Sequence, residues 1–398
     1  MKKFLAILLL VSSKILTAQD IITTKENLII RDIPAIPDSI AEDVQRYSES
    51  RSAVFCGWHP KRKEMIISTR FGNVPQLHLV AMPLGARKQL TFYNEPITNA
   101  SFEPVKGDYF LFTKDKGGNE NSQIYRYNLQ DGKITLLTDG KQSQNGGMVW
   151  SRKGGHIAYG STARNGADRD IYIMDPMNPS GSKLLLQVKG GGWQVLDWSR
   201  DDKELLVLEE ISANESHYWL VDVATGNKKA VTQQDEHGTY YGPAKFNKNG
   251  TGIYFTTDKG SEFIRLAYMD LSTKITNFIT SAINWNVETF DVSEDGKRVA
   301  FITNEAGLSK LYLLNTTTPT QQYFPVRTIP SGVYADLFFH KDNKTLLVSV
   351  NTPQSPTDLY VISTSNGKTE RWTESEMGGM VAAELASPNL VKWSSFDG

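Results

Sequence analysis

The side chains able to do chemistry are few and scattered. One cysteine, Cys56, lies in the apolar run Ala53-Val54-Phe55-Cys56, which reads as a small buried residue rather than a reactive thiol. The six histidines, His59, His78, His156, His217, His237 and His340, show neither H-E-x-x-H spacing nor a zinc-type pairing with cysteine. No metal or cofactor is therefore expected. The pentapeptide G-x-S-x-G, whose strained turn exposes a hydrolase serine, does not occur. Gly160-Ser161 and Gly181-Ser182 fail its spacing, so no catalytic residue is assigned. Gly190-Gly191-Gly192 lacks the Lys-Ser/Thr that completes a phosphate loop. One carboxylate pair remains, Glu209-Glu210, ahead of the polar stretch Ser212 to Ser216. Adjacent carboxylates favour an ammonium group, so the pair is a candidate anchor for a peptide amino terminus; the bland alternative is a solvated strand end.

What must position such groups is a repeat. An aromatic or apolar residue, a polar turn and an apolar strand recur seven times, marked by Trp58, Phe102, Trp150, Trp198, Phe246, Val292 and Phe339. About 20 residues after each comes a second phrase, marked by His78, Tyr125, Tyr172, Trp219, Ala267, Tyr312 and Tyr360. Both series advance by 44 to 48 residues per step. Each unit closes with a turn and a short strand, as in LQDGKITLLT and SNGKTERWT. Four strands per repeat of this length predict an all-β fold, a seven-bladed β-propeller of four-stranded antiparallel blades. Its span is 52–375, with blade one over about 52–91 and blade seven over about 335–373. Because every repeat supplies its own four strands, the ring should close without borrowing one from residues 27–31. The aromatic markers are expected to fill the wedges between blades.

The flanks read differently. Lys2 and Lys3, the apolar run Phe4 to Val11 and the small residue Ala18 form a secretory signal peptide over 1–18. The apolar run is too short to span a bilayer, so no membrane insertion is expected after cleavage, and the chain should be exported to the periplasm or beyond. Residues 19–51 form an N-terminal extension, with a short helix expected over Ile40 to Tyr47 and Ser39 as its N-cap. The whole chain carries 43 basic and 44 acidic residues with no basic stripe, which excludes a nucleic-acid partner.

The W-S-x-D-G-like turn, with QLTFYNEPI, GGNENSQIYRYNL, GSTARNGADRDIYIMDP and GGGWQVLDWSRD, resembles exported bacterial serine peptidases of the prolyl oligopeptidase family and TolB-like propellers. LVKWSSFDG resembles the junction into that family's α/β-hydrolase domain, so 376–398 is expected to be a linker and the start of that missing domain. The resemblance implies a non-catalytic propeller that covers a Ser-Asp-His hydrolase and admits peptide substrates by size. Some relatives bind the substrate amino terminus with a propeller Glu pair. The alternative is a stand-alone TolB-like propeller that docks another periplasmic protein. Strand alternation puts the loops after second and fourth strands on one face. The loops 116–121, 164–169, 212–216, 259–262 and 305–309 should then line the peptide path, with Glu120 and Glu215 available to a cationic terminus.

Overall fold

The computed structural model describes residues 29, 31–34, 36–233, 238–318 and 322–397; the expected signal peptide and His237 lie outside them. Seven four-stranded antiparallel sheets follow one another along the chain, each built from four consecutive strands. Blade 1 comprises Val54–Trp58, Met65–Thr69, Gln76–Val80 and Lys88–Gln89, and blade 7 comprises Val333–Phe339, Thr345–Thr352, Ser355–Ser363 and Thr369–Arg371. Buried β-branched and aromatic residues fill the second strands, as in Met65–Thr69 and Gly252–Thr257, which are buried throughout. These strands are covered on both faces by neighbouring sheets, which explains why they read as continuous apolar runs.

The wedges between blades are the core. Trp198 and Phe246 are buried, and the Trp198 indole donates to Val149 O of the preceding blade at 2.9 Å. Trp150 likewise reaches back to Ser101 Oγ at 3.0 Å. The aromatic markers therefore fasten blade to blade by buried area, and Trp150 and Trp198 add one hydrogen bond apiece.

The polar turn after each first strand has a conformational reason. Gly107, Gly154, Asp202, Gly250, Gly296 and Asn343 occupy the same point in blades 2 to 7, all with φ between 60° and 79°. Only Gly, Asn and Asp adopt that left-handed geometry cheaply.

Among the described residues, the ring closes between blades 7 and 1 without a shared strand; of 27–31, only 29 and 31 are described. Ala53, Phe55, Met65, Ile67 and Val80 pack against Leu347, Leu359, Val361 and Trp372. The His340 Nε2–H donates to His59 O at 3.0 Å, and Ala53 N–H donates to Thr357 O at 2.9 Å. The chain enters and leaves on the same face, where Ser50 and Met377 form an isolated antiparallel bridge. We call this the near face; it carries the loops after second and fourth strands.

The N-terminal helix spans Asp38–Ser48, and its N-cap is Pro37, with no side-chain cap bond. The Ser39 cap is thus corrected: Pro37, in extended geometry, starts the helix two residues earlier than a serine cap would, and Ser39 falls inside its first turn. No helix among the described residues is long and apolar enough to cross a membrane.

Candidate functional site

Two loops of the expected peptide path are in fact tight hairpins. Glu204–Ser212 pairs with Glu215–Asp222 up to Ser212 opposite Glu215, leaving Ala213 and Asn214 as the turn. Arg298–Glu305 pairs with Leu308–Asn315 up to Glu305 opposite Leu308, and the turn residues Ala306 and Gly307 both have positive φ. Ser212–Ser216 and Glu305–Ser309 are therefore strand ends, because ladder pairing persists to a two-residue turn despite the polar sequence. The stretches 116–121, 164–169 and 259–262 are loops as expected.

Glu209 and Glu210 do not form a dicarboxylate. They are consecutive residues of one strand, so their side chains leave opposite faces of the sheet. Glu209 Oε2 accepts the Trp219 indole N–H at 2.8 Å. The exposed Glu210 lies 3.5 Å from the Gln194 amide. The Glu215 carboxylate stays close to home: Oε1 is 3.8 Å from His217 Nε2 and Oε2 accepts from Gly238 N–H at 3.4 Å. Glu120 is exposed in a left-handed turn (φ 61°), with its N–H held by Asp115 at 2.9 Å. Glu120 belongs to blade 2 and Glu215 to blade 4, and blade 3 stands between them.

Cys56 is held as a thiol: burial, and next the Asp336 carboxylate, push its pKa up to about 12. Among the described residues, no group of three or more His, Cys, Asp or Glu side chains could hold a metal ion.

At the far face, the ionic groups join blades. Asp197 of blade 4 pairs with Arg152 of blade 3 and accepts the Phe246 N–H of blade 5 at 3.0 Å. Asp291 of blade 6 repeats the pattern, pairing with Lys245 of blade 5 and accepting Phe339 N–H of blade 7 at 2.7 Å. Other contacts skip a blade. Arg200 donates to Glu294 at 2.8 Å, from blade 4 to blade 6, and Lys341 donates to Pro104 O at 2.6 Å, from blade 7 to blade 2. These bonds link non-adjacent blades across the far end of the ring.

Large apolar side chains on the near face are exposed on several blades: Phe71, Phe92, Ile211, Trp285 and Leu308.

Sequence comparison agrees with this architecture. The prolyl oligopeptidase, N-terminal beta-propeller domain family matches residues 97–375. The chain is 22% identical over 331 residues to dipeptidyl peptidase family member 6 of Caenorhabditis elegans, covering 78% of this chain and 43% of that protein. It thus spans less than half the length of that curated relative. In fold it is similar to a prolyl endopeptidase structure (TM-score 0.71, 14% identity, covering 87% of this chain and 53% of that one). A weaker likeness is to TolB from Acinetobacter baumannii (TM-score 0.50, 13% identity, 79% and 81% covered).

Proposed function

The chain belongs to the prolyl oligopeptidase N-terminal β-propeller family, and from that premise we propose that it is the non-catalytic lid of a serine peptidase. It admits peptides to an α/β-hydrolase domain seated on the near face. The observation that carries this reading is the asymmetry of the two ends. Cross-ring bonds from Lys341 and Arg200 link non-adjacent blades across the far end of the ring, whereas the near-face groups described above bond within their own blade or to an adjacent one. The near face also receives both ends of the ring and exposes Trp285, Ile211 and Leu308. Its loops 116–121, 164–169 and 259–262 would border the peptide path, with Glu120 and Glu215 facing a cationic terminus. The basic, apolar leader over 1–18 supports export to the periplasm or beyond.

The test is a fusion of the chain to a prolyl oligopeptidase hydrolase domain, assayed on a short peptide and on a denatured protein carrying the same cleavage sequence. The fusion should cleave the peptide and spare the protein, while the hydrolase alone loses that selectivity. Equal selectivity with and without the propeller would overturn gating and return the chain to the reading of a stand-alone docking propeller. In the same fusion, Glu120→Gln with Glu215→Gln should lower kcat/KM for free-amino peptides and leave amino-blocked peptides unchanged.

A further inference from the structure

Two arginines of one blade 3 loop meet opposite fates. Arg164 is saturated: it donates to Asp168 at 2.8 Å and to Asp170 at 2.6 Å, and also to Val188 O at 3.1 Å. Arg169, five residues on, has a half-buried guanidinium with no carboxylate or other acceptor among the described residues; only its backbone N–H is bonded, to Gly190 O. Its side chain lies on bare backbone. A Cβ added at Gly160 would come within 2.5 Å of Arg169 Nε, and one at Gly146 within 3.4 Å of a terminal guanidinium nitrogen. A side chain at Gly160 would push the guanidinium away, so that glycine makes its berth, and Gly146 leaves room beside it.

The berth opens into a cleft of about 220 Å³ between blades 3 and 4, lined by Gly146, Gly147, Gly191, Trp193 and Gln194. One wall is fixed: Trp193 is buried, with its indole N–H donating to Lys189 O at 3.2 Å. Burial lowers the guanidinium's pKa with no acid nearby to restore it. The Arg169 guanidinium nitrogens are not sealed from solvent, so a planar anion can reach them.

We propose that the cleft between blades 3 and 4 is a carboxylate-binding site, in which the planar Arg169 fork receives a peptide carboxylate on the near face. The geometry favours a carboxylate because one guanidinium offers two parallel donors to a planar monoanion. The carrier is either a free C-terminus or an Asp or Glu side chain. That the carrier is a peptide rests on the gating reading; the preference for a carboxylate does not.

Calorimetric titration of the full chain tests this with three probes: acetyl-trialanine as the free acid, the same peptide as its C-terminal amide, and acetyl-Ala-Asp-Ala-amide. At least one carboxylate peptide should bind tenfold or more tighter than the uncharged amide, and which one does so identifies the source. Arg169→Gln should abolish the preference, and Gly160→Ala should weaken it with the arginine retained. Equal affinities for all three wild-type titrations would overturn the site even if a variant failed to fold, as would a preference that survives in Arg169→Gln. Displacement of the bound peptide by inorganic phosphate at lower concentration than by acetate would overturn the assignment to a carboxylate. A positive result beside an unselective fusion enzyme would keep the site and discard only gating.

Discussion

Asp197 and Asp291 at the far face and Arg169 at the near face use charge in opposite ways. At the far face, Asp197 and Asp291 each take a cation from the blade before and a backbone N–H from the blade after, so each carboxylate ties three blades. At the near face, the Arg169 side chain has no acceptor among the described residues and Glu120 is exposed. Charges that hold a ring together must be paired, because a buried ion left alone costs several kcal/mol. Charges kept for a ligand must stay unpaired until it arrives. On the proposed reading, the difference separates charges that stabilise the ring from a charge kept for a ligand.

Substitutions sharpen this contrast. The largest effect is expected for Asp197→Ala, which strands the Arg152 guanidinium and the Phe246 N–H together. Denaturant melts should show a loss of about 3–5 kcal/mol, whereas Arg169→Gln should stay within about 0.5 kcal/mol of the parent. A comparable loss in both would erase the distinction between the two ends. Trp198→Phe comes next: it keeps most of the ring but leaves Val149 O without its donor, for about 1–2 kcal/mol.

A smaller effect is tied to pH at the blade 7–blade 1 closure. The His59 Nδ1 accepts the N–H groups of both Lys61 and Arg62 at 3.1 Å, so that nitrogen carries no proton. Burial, and next the Arg62 charge, lower the pKa of His59 below its ordinary value of 6.5. A histidine with a depressed folded pKa contributes stability that is complete above 6.5 and is lost as pH falls below it, because the unfolded chain takes the proton first. The melting temperature should decline between pH 7.5 and 5, and less steeply in His59→Asn; an identical slope in the two would remove His59 as a cause. The chain alone should also resist labelling by a fluorophosphonate, for want of a G-x-S-x-G serine.

Much of this architecture was legible in the sequence. The recurring aromatic marker and polar turn predicted seven self-contained blades, because wedge packing and the left-handed turn each demand particular residues in every unit. The near-face details were not. Ser212 to Ser216 is polar enough to read as a loop, yet its backbone continues a ladder that sequence polarity does not reveal. The Glu209-Glu210 pair suggested one site, and strand alternation divided it. Arg169 was missed for a similar reason. In Asp168-Arg169-Asp170 it looks neutralised by its neighbours, but both acids turn to Arg164. The overlooked signal was Gly160, set in a second strand where the other blades carry side chains.

The most direct test of the central claim, that the near face is the working one, is hydrogen exchange on the chain with and without a prolyl oligopeptidase hydrolase domain added in trans. The account predicts slowed exchange in 116–121, 164–169 and 259–262, and none at the far-face turns around Gly107, Gly154, Asp202 and Gly250. Protection of those turns, with the near-face loops unchanged, would contradict it.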